Sequence, residues 1–123
     1  MFKYILGIPL IFHGLAHVSG FLASWTRAEV GYAAEGWVLP GRVTLQSGVG
    51  RGFGLLWLVA MAGLVASGAG LLTGQSWWRP LAGASAAVSL AAIVPWWNTV
   101  PPGARIGAAF DVGVILWVLF GGR

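Results

Sequence analysis

The sequence predicts an all-α membrane protein, an antiparallel bundle of four transmembrane helices, and two observations lead to this fold class. Apolar residues make up 58% of the 123 residues and charged residues only 8%, whereas about a quarter of the residues in soluble domains are charged. Four apolar stretches are also long enough to cross a bilayer, which takes about 20 residues in a helix. These observations exclude an ordinary water-soluble domain and predict a single transmembrane domain over residues 1–123.

The four predicted spans cover residues 4–25, 53–73, 81–97 and 106–120. The last two are short, but they suffice when the side chains at their ends reach the membrane interface. Glycine and proline punctuate the links that follow the second and third spans. Because these links are tight, we expect the spans that they join to be antiparallel neighbours.

The first connection, residues 26–52, is much longer than the others, and we expect it to fold as a small cap at one end of the bundle. Residues 37–39 and 43–45 flank Pro40 and Gly41 and could pair as a short β-ribbon, although a Pro-Gly turn matches hairpin twist poorly. Alternating glycines close the connection and are expected to let the chain turn tightly into the second helix. They are Gly48, Gly50, Gly52 and Gly54, and their spacing does not match a phosphate-binding G-x-G-x-x-G loop.

Four spans place both termini on one side of the membrane. Basic residues are nearly balanced between the two sides, and a long connection crosses a membrane more readily than a short one, so we expect the termini in the cytoplasm. Tryptophans are expected to form a belt at each interface. These are Trp25, Trp57, Trp96 and Trp97 at one end and Trp77, Trp78 and Trp117 at the other. Lys3 before an apolar stretch also fits a cleavable signal peptide, but two histidines in that stretch and the lack of an Ala-x-Ala site argue against one.

Small residues recur every four positions in the second and third spans, which favours close helix packing in lipid. They are Ala62, Ala66 and Gly70, followed by Gly83, Ala87 and Ala91. We expect this packing to hold the bundle together within one chain rather than to form a dimer face. The serines in the spans are expected to bond backbone carbonyls. They are Ser19, Ser67, Ser85 and Ser89.

Three ionisable residues within the spans form the main candidate site. His13 and His17 are four positions apart, so both imidazoles lie on one helix face. Asp111 lies within the fourth span, where an unpaired carboxylate costs about 2.5 to 3.5 kcal/mol. Counted from the same interface, Asp111 is about 9 Å deep and His17 about 12 Å deep, so the two can meet across antiparallel helices. Arg51, at the mouth of the second span, could reach toward Asp111 from above.

Several chemistries can be weighed for this cluster. His13, His17 and Asp111 could form a two-histidine, one-carboxylate metal site. The cluster lacks the glutamate of an H-E-x-x-H motif, and the chain has no cysteine to supply a thiolate ligand. Haem held by both histidines of one chain is disfavoured, because ligands one turn apart on a helix cannot reach opposite faces of a porphyrin. The sequence contains no nucleophile elbow, so it does not indicate a hydrolase.

The run from Leu6-Gly7 through His13-Gly14, followed by His17 and Gly20-Phe21, resembles the start of DoxX-like proteins, which are small bacterial four-helix membrane proteins. The resemblance extends to the pattern of spans over most of the chain. It implies the bacterial cytoplasmic membrane and a respiratory or oxidative-stress setting, in which some relatives are linked to quinone-coupled oxidation or to membrane redox complexes. Two features depart from the family. His17 stands where relatives often carry a basic residue. The acidic residue that relatives often carry in the second span has no counterpart here, and Asp111 in the fourth span could take its electrostatic role.

The leading functional hypothesis is an accessory or ligand-binding membrane protein that is not an enzyme. Its centre, with His13, His17, Asp111 and Arg51, would bind a quinone-like ligand or relay a proton, since the charge of imidazole changes near neutral pH. One alternative is a small transporter or channel formed by a homodimer or larger homo-oligomer, and another is a metal-dependent membrane enzyme. The expected partners are the lipid bilayer and a redox membrane complex. Nucleic acid is not expected, because the seven basic residues form no stripe.

Overall fold

The computed structural model describes residues 1–37 and 43–121, and this part of the chain is helical, with one isolated β-bridge. The helices are α1 (Phe2–Ala16), α2 (Val18–Trp25), α3 (Gly48–Leu72), α4 (Trp78–Ile93) and α5 (Pro102–Phe120). Three helical segments are long and apolar enough to cross a membrane: α1 continued by α2, then α3, then α5. The prediction of a helical membrane protein is therefore supported by three candidate spans.

The helix boundaries differ from the predicted spans where capping decides them. Helix α3 begins at Gly48 instead of near residue 53, because Ser47 caps it by accepting a hydrogen bond from the Gly50 amide at 3.1 Å. The alternating glycines therefore form the first turns of α3 rather than a turning loop. Helix α4 has 16 residues, and a 3₁₀ turn over Val94–Trp96 continues it. Helix α5 begins with Pro102 in its first turn, where a missing amide hydrogen costs nothing.

The first predicted span is divided at His17, which separates α1 from α2. The His17 amide bonds Gly14 O, three residues back, at 3.0 Å. The His17 imidazole Nδ1–H donates to His13 O, four residues back, at 2.8 Å. The side chain thus bonds the carbonyl that the amide would bond in a regular α-helix, and the backbone tightens locally to the three-residue spacing.

Glycines allow the helices to pack closely. The backbones of α1 and α3 approach at Gly7 and Gly68, where a Cβ built on Gly68 would lie 2.7 Å from Gly7 O. A Cβ on Gly14 would likewise lie 2.9 Å from a methyl carbon of Val65. The contacts with α1 move to lower residue numbers in α3 as the residue numbers in α1 rise, so these two helices run in opposite directions. This is the close approach that small residues permit in the absence of a hydrophobic drive.

The long first connection lies against the end of the bundle. The Ala33 amide donates to Thr99 O at 3.2 Å, and the Gln46 side-chain amide donates to Ala23 O at 2.9 Å. A single antiparallel bridge pairs Glu35 with Thr44. The predicted ribbon has its turn in residues 38–42, which lie outside the described residues.

Arginines stack on several of the predicted belt tryptophans. Arg51 lies over the Trp25 ring, Arg105 over Trp97 and Arg79 over Trp117. Two other tryptophans were expected at the same interface but lie in the core: Trp57 is 1% exposed and Trp96 is 3% exposed. They are buried because the first connection covers that end of the bundle, so that Tyr32 packs on Trp57 and Gly36 lies against Trp96.

Replacing Gly68 with alanine should destabilise the protein, since the new methyl would be forced against the backbone of α1. Overpacking costs about 1 to 3 kcal/mol, which outweighs the gain of up to about 1 kcal/mol in helix propensity. The control is Gly113→Ala in α5, where a Cβ meets nothing within 4 Å. Thermal unfolding in detergent, followed by circular dichroism, should show a lower Tm for G68A and an equal or higher Tm for G113A. Equal melting of both variants would show that the α1–α3 approach is not tight.

Candidate functional site

The structure brings His13, His17 and Asp111 together. His13 lies in α1, His17 lies between α1 and α2, and Asp111 lies in α5. His13 Nε2 lies 2.9 Å from Asp111 Oδ1. Asp111 is fully buried and His13 is 12% exposed. The two imidazole rings meet edge to face, with their centroids 4.7 Å apart. His13 is therefore the histidine that directly contacts Asp111. The depth estimate had paired Asp111 with His17, which lies one helical turn further along the chain.

His17 reaches the carboxyl group through a serine. His17 Nε2 lies 2.7 Å from Ser89 Oγ, and the Ser89 hydroxyl donates to Asp111 Oδ2. Ser89 belongs to α4 and lies between His17 and Asp111. Its side chain is completely buried. The expectation that Ser89 would bond a backbone carbonyl is therefore wrong. Ser67 follows that expectation, because its hydroxyl donates to Leu64 O at 2.9 Å.

Counting hydrogens along this chain leaves two proton arrangements, the first of which follows from a Ser89 hydroxyl that donates to Asp111. Ser89 has one hydroxyl hydrogen, and when it is donated to Asp111, the Ser89 oxygen can only accept from His17 Nε2. His17 Nδ1 must also carry a hydrogen, because its partner is the His13 carbonyl oxygen. His17 is then an imidazolium that faces the Asp111 carboxylate across Ser89.

A second arrangement satisfies the same contacts with the same number of protons. Protonated Asp111 donates to Ser89, and Ser89 donates to a neutral His17. The two arrangements differ only by the shift of a proton between Asp111 and His17, and neither leaves a net charge on the cluster. Burial in an apolar bundle favours such a neutral cluster, since an isolated charge would lose its hydration without compensation.

The second ring nitrogen of His13 lies beside the backbone of α5, where a Cβ built on Gly107 would be 2.8 Å from it. His13 Nε2–H donates to Asp111, so Nδ1 of the neutral ring is an acceptor. Within the described residues, Nδ1 has no hydrogen-bond partner. The carboxyl group behind the ring fixes its tautomer and orientation, as second-shell carboxylates do for histidines in other proteins.

A cavity of about 190 Å³ adjoins the two imidazoles. Its walls include His13, His17 and Trp57 from the helices, together with Ser19 and the loop residue Tyr32. An apolar cavity of about 150 Å³ holds one benzene molecule. This cavity therefore has room for a single aromatic ring with small substituents.

Arg51 does not belong to this cluster. Its guanidinium lies over the Trp25 ring, 5.7 Å from the centroid, and the Arg51 carbonyl accepts from Trp25 Nε1 at 2.9 Å. The side chain is exposed at the start of α3. The tryptophan at the interface therefore holds the arginine that was expected to reach toward Asp111.

The same three residues could also hold a metal ion. One ligand atom from each of His13, His17 and Asp111 lies within 4.8 Å of the others. Histidine nitrogens with a carboxylate oxygen suit a divalent transition metal. However, His17 Nε2 and both carboxyl oxygens are engaged in the hydrogen bonds described above, so a metal would have to displace Ser89 from between them.

Comparison with known proteins adds no further assignment. No family model, no curated protein and no solved structure matches this chain. The functional argument therefore depends on the geometry of the site.

Sequence reasoning identified the two histidines and the aspartate but not Ser89, Tyr32 or Trp57. Ser89 lies in a helix of small residues, and its spacing from Ser85 matches that of a packing serine. Tyr32 lies in a long connection whose path has no periodic pattern. Only the structure shows that both reach the same site.

Replacing Ser89 with alanine should destabilise the protein more than replacing Ser67 with alanine. Ser89→Ala leaves His17 Nε2 and Asp111 Oδ2 buried without their partner, which costs about 1 to 3 kcal/mol for an unsatisfied polar group. Ser67→Ala removes an equally buried hydroxyl that bonds only backbone. The comparison uses thermal unfolding in detergent. A Tm for S89A at or above that of S67A would show that the hydrogen-bonded chain does not contribute to stability.

Proposed function

We propose that this protein is a small accessory protein of the bacterial cytoplasmic membrane, that all four helical segments span the bilayer as an antiparallel bundle, and that both termini face the cytoplasm. Two features support a fourth span. Helix α4 with its 3₁₀ turn extends about 30 Å. Helix α4 also contributes the buried Ser89 between the candidate spans. Membership of the DoxX-like family is proposed on the sequence pattern of α1 and on this arrangement.

Within that bundle, we propose that the cavity binds a lipid-soluble ring molecule of quinone or quinol type. The observation that carries the proposal is the buried chain His13–Asp111–Ser89–His17, whose two imidazoles both line a cavity of the size of one substituted ring. Ionisable residues inside a membrane are costly and are functional by default. Packing alone does not require two imidazoles that both line a cavity.

His13 would contact the ligand directly. Its Nδ1 accepts a hydrogen bond from a ring hydroxyl, and the Asp111 carboxyl group behind Nε2 makes this nitrogen a better acceptor. The proton shared by Asp111 and His17 can shift between them when the ligand hydroxyl approaches, while the cluster keeps its zero net charge. The protein would thus hold the hydroxylated, reduced form of such a ring more tightly than the oxidised form.

A metal site is the second candidate, because one ligand atom from each of His13, His17 and Asp111 lies within 4.8 Å of the others. Elemental analysis of the purified protein distinguishes the two functions. Stoichiometric metal that is lost in His17→Ala would favour the metal site. Protein without bound metal that still binds the ring molecule would favour the ligand site.

Decylubiquinol, a short-tailed quinol, should bind saturably to the protein in lipid nanodiscs, as measured by isothermal titration calorimetry. His13→Ala should weaken this binding by about tenfold, since it removes one hydrogen bond to an oriented imidazole. The control is Phe12→Ala, a neighbour that is 68% exposed on the outer surface and should bind like the wild type. Melting curves establish that both variants fold. An absence of saturable binding to the folded wild type would contradict the proposal.

A further inference from the structure

The first connection brings a second polar group to the cavity, the hydroxyl of Tyr32. Two contacts hold the backbone around it. The Ala33 amide donates to Thr99 O at 3.2 Å, and Gly31, with a φ of 85°, lies against Pro101. The Tyr32 ring meets Trp57 edge to face, with their centroids 5.6 Å apart. Tyr32 is therefore held in place by the link between α4 and α5 and by Trp57 of α3.

The Tyr32 hydroxyl hydrogen is weakly engaged. Its partner is Ser19 Oγ at 3.5 Å, the outer limit of a hydrogen bond. Ser19 uses its own hydrogen to bond Ala16 O at 2.8 Å, so within this pair the donor is Tyr32. Burial raises the pKa of Tyr32 above its usual value, which keeps the phenol protonated at neutral pH. A better acceptor placed in the cavity would take this hydrogen.

The cavity therefore has polar groups of opposite kind from two parts of the chain. His13 and Tyr32 both line the cavity; His13 Nδ1 can accept a hydrogen bond, and the Tyr32 hydroxyl can donate one. The Trp57 ring also lines it, and its walls are largely apolar. A ligand that satisfies both groups carries a hydroxyl and an acceptor oxygen.

We propose that Tyr32 is a ligand-binding residue whose hydroxyl donates to a second oxygen of the ring molecule, so that the cavity selects rings with two oxygens over rings with one. This inference rests on the proposed function and narrows its ligand class. It assigns a role in ligand recognition to the first connection, which was expected only to cap one end of the bundle. Tyr32 binds and orients the ligand and moves no proton.

Two isosteric probes test the second contact. 4-Methoxyphenol offers a hydroxyl and an ether oxygen at opposite ends of its ring, whereas 4-ethylphenol has the same shape without the second oxygen. The wild type in nanodiscs should bind 4-methoxyphenol roughly three- to tenfold more tightly, the value of one net hydrogen bond. Tyr32→Phe, which keeps the ring against Trp57, should bind both probes equally. Tyr4→Phe is the matched control, because Tyr4 is the only other tyrosine and is 54% exposed, and it should keep the wild-type preference.

The outcomes separate this inference from the function on which it rests. Equal binding of both probes by the wild type, or a preference that persists in Tyr32→Phe, would overturn the role of Tyr32 and leave the ring site standing. No binding of either phenol to the folded wild type would overturn the ring site itself, and the role of Tyr32 with it.

Discussion

The structure depends on a carboxyl group that is buried without access to water. Asp111 is 0% exposed in the middle of α5, and such a group is tolerated only when its oxygens are bonded and its charge is compensated. His13 and Ser89 bond its two oxygens, and a proton shared with His17 through Ser89 compensates its charge. This requirement ties α1, the joint after it, α4 and α5 to one point.

The same requirement accounts for the break in the first helix. For His17 Nε2 to face Ser89, its Nδ1 must find another partner, and the carbonyl of His13 is the nearest one. The local tightening of the backbone at His17 is the consequence. The glycines of α1 and α3 then let the helices approach closely enough for these short side chains to meet. The candidate site and the close helix packing thus share the same stretch of α1.

Much of the helical pattern could be predicted from the sequence, because apolar length and turn residues determine spans locally. Depth along the helices brought Asp111 to the level of the histidines, but it paired Asp111 with His17, whereas the structure pairs it directly with His13. Ser89 could not be predicted in the same way, since a serine in a helix bonds its own backbone unless a partner from another helix is in reach, and only packing decides this. Trp57 was misplaced because its burial depends on the path of the first connection, which carries no periodic signal. Arg51 lies over Trp25 instead of reaching toward Asp111, a contact across two helices that spacing along the chain does not reveal.

The most direct test is the distance between Asp111 and His13 in a lipid bilayer. Asp111 is the only aspartate in the chain, and His13 and His17 are the only histidines, so labelling aspartate with ¹³C and histidine with ¹⁵N restricts the signals in solid-state NMR to these three residues. The account predicts a strong dipolar contact between the Asp111 carboxyl carbon and a protonated His13 Nε2, while His13 Nδ1 carries no proton. An absence of dipolar contact between Asp111 and either imidazole would contradict it.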